Sequence, residues 1–308
     1  MNILNMNPLR YPGSKNRSIE FFANVVRSSG LEGKQIVEPY AGSAAVSLGL
    51  LERDLVSSVM LFERDPLVFA FWYSVFFRTE ELISAIERVD VSLETWLEMD
   101  VYRQYSDVPE NLLVECGLAG LFFNRTNFSG VIHAGPIGGK SQSSQYGIAC
   151  RFNKFDLIKR VLYVSRMRDS VQVYFGDAVR ALEDADGQGN ENRFFYIDPP
   201  YFTQGKKLYR YHYQFSDHER LANVLGGVNY DWILSYDAHP IIEYLYTNNN
   251  QYRQSFRYSS RVQKVEEELV ISNMNLRGVD QQNQLVLFED GEADLEIGDE
   301  LNGVIATV

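Results

Sequence analysis

The sequence predicts an α/β fold in which a mostly parallel β-sheet carries a mainly helical insertion. Short apolar strands alternate with helical patterns on both sides of the insertion, which is typical of a parallel sheet covered by helices. Residues 79–168 instead show helical periodicity followed by a long polar loop. The 308 residues are 45% hydrophobic and 23% charged, so the chain has enough apolar side chains for a large core.

Seven short runs of apolar and aromatic residues are predicted as strands. In chain order they are Gln35–Val37, Val59–Phe62, Val171–Phe175, Phe194–Ile197, Trp232–Leu234, Tyr252–Tyr258 and Glu267–Ile271. The first five are short buried runs of the kind that parallel sheets contain. The last two are predicted to close the sheet as an antiparallel pair.

Helical periodicity predicts three helices inside the insertion, at Glu80–Arg88, Leu93–Tyr105 and Glu110–Asn124. A loop rich in Gly, Ser and Asn follows, roughly from Asn127 to Ala149, and a loop of this length is usually functional or mobile. We therefore expect three parts. They are a main domain of residues 1–78 and 169–279, the insertion 79–168, and an acidic tail 280–308.

The composition excludes several classes of protein. No run approaches the length of a membrane span, and the first twelve residues lack the apolar segment of a secretory signal. Cys116 and Cys150 are the only cysteines, too few for a disulfide framework or a cysteine-rich zinc site. We expect a globular protein of the cytoplasm.

The formal net charge of −12 is unusual for a nucleic-acid-binding protein. Residues 280–308 contain eight carboxylates and no Lys or Arg, so the rest of the chain carries only −4. Three long stretches contain no acidic residue at all: Cys116–Phe155, Pro199–Ser216 and Tyr244–Val265. Folding can bring these stretches together as one basic face. Chance clustering is the alternative explanation.

A small-residue loop, Glu38–Val46, follows the first predicted strand and opens a helix. Small residues let the backbone approach a ligand, and Glu63 follows Gly42 by 21 residues, where α/β sheets place a carboxylate against ribose hydroxyls. The loop lacks the glycines of a pyrophosphate-binding fingerprint. The pattern therefore favours a nucleoside cofactor without phosphates, and a plain tight turn is the alternative.

The sequence Asp198-Pro-Pro-Tyr201 follows the fourth predicted strand. Its two prolines fix the backbone and lack N–H donors, so carbonyl groups and the Asp198 carboxylate remain as hydrogen-bond acceptors. Tyr201 adds an aromatic face. This combination suits a planar ring that bears an amino group, with the tyrosine stacked on the ring. An ordinary turn with a capping aspartate is the alternative.

Together these segments resemble the Dam-type DNA adenine methyltransferases, the class α enzymes that use S-adenosylmethionine. The resemblance extends to about residue 277. Leu9–Lys15 resembles the family's N-terminal cofactor motif, Glu38–Val46 its cofactor loop, and Asn124–Gly130 a motif of its target-recognition domain. The motifs also occur in the family's order. The resemblance implies a Rossmann-like methyltransferase sheet, a catalytic domain of residues 1–78 and 169–279, and target recognition by 79–168.

The resemblance also implies functional residues. Those implied to bind the cofactor S-adenosyl-L-methionine are Tyr11, Lys15, Glu38, Tyr40, Ala41, Gly42, Glu63, Asp177 and Asp198. Of these, Lys15 would contact the methionine carboxylate, Glu63 the ribose, and Asp177 the adenine amine. The implied catalytic residues are Asp198, Pro199, Pro200 and Tyr201, which would receive an adenine flipped out of double-stranded DNA. No metal is required.

Polar residues of the insertion and of the segment after the catalytic turn are predicted to contact DNA. They are Arg125, Asn127, Lys140, Arg151, Lys206, Lys207, Tyr209 and Arg210, with a solvated surface position as the alternative for each. In the tail, Gln284–Phe288 resembles the peptides by which bacterial proteins dock on the replication sliding clamp. An edge strand folded onto the body is the alternative there.

Three other functions remain open. An amino-methyltransferase acting on RNA or on protein glutamine is one, although related glutamine enzymes carry Asn in place of Asp198 and lack such an insertion. A noncatalytic DNA-binding protein with the same fold is the second. A nicotinamide-dependent oxidoreductase is the third, and the missing phosphate fingerprint counts against it.

Overall fold

The computed structural model describes residues 7–10, 15, 18–185, 189–203, 205, 210–259 and 263–276, without the side chains of 255–259 and 263–266. Within this part of the chain, seven strands form one sheet. The strands are β1 (Gln35–Glu38), β2 (Ser58–Glu63), β3 (Val171–Phe175), β4 (Arg193–Ile197), β5 (Asp231–Asp237), β6 (Asn250–Ser259) and β7 (Gln263–Ser272). All seven predicted strands are therefore confirmed, and the observed bounds differ from the predicted ones only at the ends.

The strands lie in the order β3-β2-β1-β4-β5-β7-β6. β1 to β5 are parallel, and β7 is antiparallel to both of its neighbours, β5 and β6. This confirms the predicted α/β fold with a closing antiparallel pair. The chain moves outward from β1 to β3 and then returns to β4 on the other side of β1. The carboxyl ends of β1 and β4 thus flank the point where strand order reverses, which is where open α/β sheets bind ligands.

Ten α-helices are described. They are α1 (Ile19–Ser28), α2 (Ala45–Leu51), α3 (Pro66–Phe77), α4 (Thr79–Arg88), α5 (Leu93–Met99), α6 (Leu113–Thr126), α7 (Lys154–Ser165), α8 (Ala178–Ala185), α9 (Phe215–Gly227) and α10 (Pro240–Leu245). The three helices predicted in the insertion are present as α4, α5 and α6. The second is shorter than predicted, because Asp100–Gln104 forms a 3-10 turn after α5. None of the helices described here is long and apolar enough to cross a lipid bilayer.

Helix α6 anchors the insertion to the main domain. Its residues from Cys116 onward are buried, and Gly117 and Gly120 face the backbone of α3. A Cβ atom at Gly120 would lie 2.4 Å from the Leu67 carbonyl oxygen, so only glycine allows this approach. The apolar side chains of the insertion belong to the same continuous cluster as those of β1 and β2. The insertion therefore shares one core with the sheet.

The short segment of residues 7–10 crosses between the insertion and the loop after β1. The Asn7 side-chain amide donates to the Ser43 carbonyl oxygen at 2.7 Å, which fixes the segment to that loop. From the other side, Arg125 Nε donates to the Pro8 carbonyl oxygen at 2.8 Å. These bonds link helix α6 to the cofactor loop predicted from the sequence.

Candidate active site

One cleft lies at the carboxyl ends of β1, β2 and β4, and loop 130–133 of the insertion forms part of its wall. It encloses about 1070 Å³, including the space at its open mouth. The predicted site residues that line it are Lys15, Glu38, Tyr40, Ala41, Gly42, Glu63, Asp177, Asp198, Pro200 and Arg210. The fold thus brings residues separated by up to 195 positions into one site beside the point of strand reversal.

The loop after β1 is held in a tight conformation by its neighbours. Gly42 has a φ of +45°, in the left-handed region that favours glycine. Its N–H donates to Glu63 Oε2 at 3.0 Å, and its carbonyl oxygen accepts from Trp72 Nε1 at 2.8 Å. The loop backbone is therefore fixed between the end of β2 and helix α3, with its small residues facing the cleft.

Two buried carboxyl groups form the floor of the cleft. Burial raises the pKa of Glu38 to about 8, against a hydrogen bond from the Ser47 hydroxyl that lowers it. Burial likewise raises the pKa of Glu63 to about 7, against hydrogen bonds from the backbone N–H groups of Asp65 and Gly42. A positive charge in the cleft would favour the ionised form of both groups.

The charged side chains of the cleft fit a cationic nucleoside better than a phosphorylated one. Five carboxyl groups line the cleft, and they outnumber its three Lys and Arg side chains; the acidic residues are Glu38, Glu63, Asp65, Asp177 and Asp198. Such an excess of acid opposes a pyrophosphate group and attracts a sulfonium ion. The residues present therefore fit S-adenosylmethionine, whose ribose hydroxyls and adenine amine are donors for these carboxylates.

Aromatic residues after the Asp198–Tyr201 turn close one side of the cleft. The hydroxyl groups of Tyr40 and Tyr213 lie 2.5 Å apart, and burial raises the pKa of both. The Arg64 guanidinium stacks over the Tyr211 ring at 4.8 Å and lies 3.1 Å from Asp177. The loop from β1, the end of β2 and the segment 210–213 are thereby joined across the cleft.

The Asp198–Tyr201 turn is held by the next strand of the sheet. Asp237, the last residue of β5, accepts hydrogen bonds from the backbone N–H groups of Phe202 and Thr203, each at 2.9 Å. Because Phe202 and Thr203 directly follow Tyr201, these bonds fix the direction in which the chain leaves the turn. The acceptors predicted at Asp198 and Pro199 are therefore placed on a rigid support.

A buried ion cluster lies behind the turn. Lys15 Nζ is 3.1 Å from Asp198 Oδ1 and 3.3 Å from Glu268 Oε2. The Tyr201 hydroxyl accepts a hydrogen bond from Lys15 and donates to Glu268 Oε1 at 3.1 Å. We call Lys15, Asp198, Tyr201 and Glu268 the Lys15 cluster. It combines one cation with two carboxylates, so an added methionine carboxylate would be repelled at this point, and the contact predicted for Lys15 stays a prediction.

The cluster sets the protonation of its members. Burial raises the pKa of Asp198 to about 6, and the Lys15 ammonium opposes the rise. Burial alone would lower the pKa of Lys15, but Asp198 and Glu268 outweigh it and hold that pKa well above its usual value. At neutral pH the cluster thus holds an ionised Lys15, and Asp198 is an acceptor.

A protein family matches most of the chain. A family model described as the D12 class N6 adenine-specific DNA methyltransferase matches residues 11–261. The chain belongs to this family. It is an enzyme that methylates adenine in DNA, and its methyl donor is S-adenosylmethionine. The recognition of a Dam-type methyltransferase from the sequence is confirmed.

Solved structures with a similar course of the chain include two methyltransferases. One, from Pyrococcus horikoshii, is assigned as an RNA methyltransferase; it is 9% identical, with 84% of this chain and 83% of that chain covered and a TM-score of 0.40. The other is the rRNA methyltransferase AviRa from Streptomyces viridochromogenes, 12% identical, with 85% and 87% covered and a TM-score of 0.37. No curated protein matches the sequence of this methyltransferase.

The predicted DNA contacts of this methyltransferase fall into three groups. Arg125 and Asn127 are buried and bound to backbone carbonyl oxygens, of Pro8 and of Val131 and Ile132, so their position does not support a contact with DNA. Two others, Lys140 and Arg151, are exposed on the insertion.

The third group lies after the catalytic turn. Arg210 lines the cleft and donates to the Tyr105 carbonyl oxygen at 3.0 Å, so it connects this segment to the insertion. Four other predictions lie outside the described residues: Tyr11, Lys206, Lys207 and Tyr209. The tail segment Gln284–Phe288 also lies outside them.

The sequence prediction missed three residues of the methyltransferase site. Tyr213 contacts Tyr40, Asp237 fixes the turn after Tyr201, and Glu268 binds Lys15. Asp237 and Glu268 lie in strands that the sequence did predict, but their roles depend on which strands are neighbours. The available signal was that Leu234–Asp237 and Lys264–Leu269 resemble later segments of the family; in the sheet, Asp237 pairs with Glu268.

Proposed function

We propose that this methyltransferase recognises a specific site in double-stranded DNA and methylates an adenine that is flipped out of the duplex into the cleft beside Asp198. The position of the Asp198 carboxyl group carries this proposal. Its Oδ1 atom is buried against Lys15, whereas the side chain as a whole is 23% exposed and lines the cleft. An acceptor in this position reaches an adenine amine only when the base has left the stack.

The turn would hold the amine through acceptors alone. Pro199 and Pro200 have no N–H groups, so the turn offers the Asp198 carboxylate and the Pro199 carbonyl oxygen to the two amine hydrogens. The lone pair of the amine is delocalised into the adenine ring. Two hydrogen bonds of this kind favour the pyramidal form, in which the lone pair points towards the methyl donor, and stabilise the positive charge that develops on nitrogen.

S-adenosylmethionine, when bound, supplies an electrophilic methyl group on a sulfonium ion. The carboxyl groups of Glu38 and Glu63 would stabilise that cation and orient the nucleoside, and Gly42 leaves space beside them. Asp198 need not act as a strong base, since the amine proton becomes acidic only after nitrogen is alkylated. With a pKa of about 6 and partial exposure, Asp198 is placed to take this proton and release it to water.

The insertion 79–168 is the part we propose for target recognition. It contributes loop 130–133 to the wall of the cleft, and the exposed Lys140 and Arg151 lie in its acid-free stretch. Burial lowers the pKa of Arg10, and the positive charge of Arg151 lowers it further. These exposed basic groups would contact phosphates and hold the duplex in register, and their contacts weaken as salt rises.

Nucleoside mass spectrometry tests the proposal. Unmethylated DNA is incubated with the purified enzyme and S-adenosylmethionine, alongside the variant Asp198→Ala and the control Asp169→Ala, which removes an exposed carboxylate before β3. N6-methyladenine from the wild type and the control, but not from Asp198→Ala, is expected. Methylation of random adenines would contradict site specificity. Equal methylation of single-stranded and double-stranded DNA would contradict the choice of substrate, and methylated RNA without methylated DNA would replace it.

We also propose that Gln284–Phe288 docks on a bacterial sliding clamp. The support is the sequence alone, Gln-Leu-Val-Leu-Phe followed by two acidic residues. Surface plasmon resonance with an immobilised clamp tests it. The full chain should bind, and the double variant Leu287→Ala with Phe288→Ala should not. Equal binding by both proteins would contradict this docking mode.

A further inference from the structure

Glu268 occupies a position where an ionised side chain is costly without partners. It lies in β7, opposite Asp237 of β5, and its side chain is 6% exposed. Lys15 and Tyr201 both bind its carboxylate. Because buried charges are retained only where they are paired and hydrogen-bonded, the Glu268 carboxylate depends on such partners.

The cluster shares a single cation between two carboxylates. Lys15 Nζ is almost equally distant from Asp198 Oδ1, at 3.1 Å, and from Glu268 Oε2, at 3.3 Å. Glu268 therefore competes with Asp198 for the ammonium. Without Glu268, Lys15 would neutralise Asp198 alone, and Asp198 would be a weaker hydrogen-bond acceptor for an amine in the cleft.

Glu268 also fixes the aromatic ring of the turn. Tyr201 donates to Glu268, and Lys15 lies over the Tyr201 ring at 4.7 Å from its centroid. Lys15 lines the cleft, but Glu268 lies behind it. Glu268 therefore acts on the reaction through its contacts with Lys15 and Tyr201 and through its charge beside Asp198.

We propose that Glu268 is a positioning residue for methyl transfer: it holds Lys15 and Tyr201 so that the Asp198 carboxylate keeps its strength as acceptor for the target amine. This inference rests on the proposed function, because it assigns Asp198 to the amine. The titratable groups that act on Asp198 come from five parts of the chain, namely Lys15, Glu38 of β1, Tyr196 of β4, Tyr236 of β5 and Glu268 of β7. Among them, Glu268 is the carboxylate that shares the Lys15 ammonium.

The test compares Glu268→Gln with Glu267→Gln. The Glu267 side chain is 53% exposed and forms a long ion pair with Arg253, at 3.7 Å. Its substitution therefore removes the same charge one residue away and leaves the Lys15 cluster unchanged. Single-turnover methylation rates are measured from acid to neutral pH, together with the dissociation constant for S-adenosylmethionine. Glu268→Gln leaves Lys15 paired with Asp198, so the cluster becomes neutral.

We expect Glu268→Gln to slow methyl transfer at least about 10-fold, as for loss of a charged hydrogen bond, with cofactor affinity unchanged. We also expect the acid limb of its rate profile to move to lower pH, because a neighbouring negative charge is lost. Glu267→Gln should match the wild type. A slower Glu268→Gln enzyme with an unmoved acid limb would show a merely structural role and overturn the inference.

A second variant covers the case in which Glu268→Gln does not fold. Glu268→Asp keeps the charge on β7 and should retain the wild-type acid limb even if its rate falls. An acid limb that moves to lower pH in this variant would overturn the inference. The proposed function fails separately: wild-type enzyme that makes no N6-methyladenine at any pH contradicts the reaction, whereas an active wild type leaves only the role of Glu268 in question.

Discussion

Adding one methyl group at the contact between α3 and α6 should lower the stability of the protein by an amount that can be worked out from the structure. In Gly120→Ala, the new Cβ would lie 2.4 Å from the Leu67 carbonyl oxygen and 3.0 Å from its carbonyl carbon. An ordinary contact needs about 3.4 Å, so the two backbones must separate by about 1 Å. Both partners are helix backbone, and neither can rotate away as a side chain could.

The expected loss of stability follows from two opposing effects. Overpacking of a core typically costs about 1–3 kcal/mol, and at a backbone contact we expect the upper part of this range. Alanine is favoured over glycine inside a helix by about 1 kcal/mol, which offsets part of it. The net loss is roughly 1–2 kcal/mol. For a chain of this size that corresponds to a decrease in Tm of roughly 2–8 °C.

Thermal unfolding followed by circular dichroism measures the change. The control is Gly226→Ala in α9, where the new methyl group meets nothing within 4 Å, so its Tm should equal or exceed that of the wild type. Gly120→Ala should also weaken DNA methylation, because α6 ends at the loop that enters the cleft. A Tm for Gly120→Ala equal to that of the wild type would refute the reasoning about close helix packing.

Three further predictions concern the site. The single-turnover rate should fall as pH drops below about 6, since protonation of Asp198 removes its acceptor; a rate that stays constant to pH 5 in a stopped assay would contradict this. Asp237→Ala leaves the N–H groups of Phe202 and Thr203 without their acceptor, and the rate should fall about 10-fold with cofactor affinity unchanged by calorimetry. Burial raises the pKa of Glu38 to about 8 from an unfolded value of 4.5, so the wild type loses more stability than Glu38→Gln as pH rises through this interval. Denaturant unfolding should give the two proteins similar free energies of unfolding at about pH 5, and the variant the larger value at about pH 9. A difference in this free energy that is the same at both pH values would contradict the explanation.

The strands and most of the cleft were predictable because they depend on local sequence. Apolar runs specify strands, and the loop at Gly42 and the turn at Asp198 follow strands whose carboxyl ends meet at one edge. The Lys15 cluster was not predictable in the same way. It requires β7 to lie beside β5, and a strand's neighbours are set by packing of the whole sheet.

Buried polar residues were the least predictable. Arg125 was expected to face DNA, since a basic residue in an acid-free stretch usually lies on the surface. Instead it is 8% exposed, and burial lowers its pKa to about 9. Its two bonds to the Pro8 carbonyl oxygen depend on a segment more than a hundred residues away, and no local pattern indicates that contact.

The crossing segment 7–10 has a consequence for the order of folding during synthesis. Its partners Arg125 and Arg160 follow Pro8 and Asn7 by 117 and 153 residues. Lys15 meets Glu268 only after 253 further residues. Because synthesis proceeds from the amino end, residues 7–10 leave the ribosome before Arg125 and Arg160 and are fixed only after those partners have been made. The active site also assembles late, because its cation Lys15 pairs with a carboxylate that lies 253 residues further along the chain.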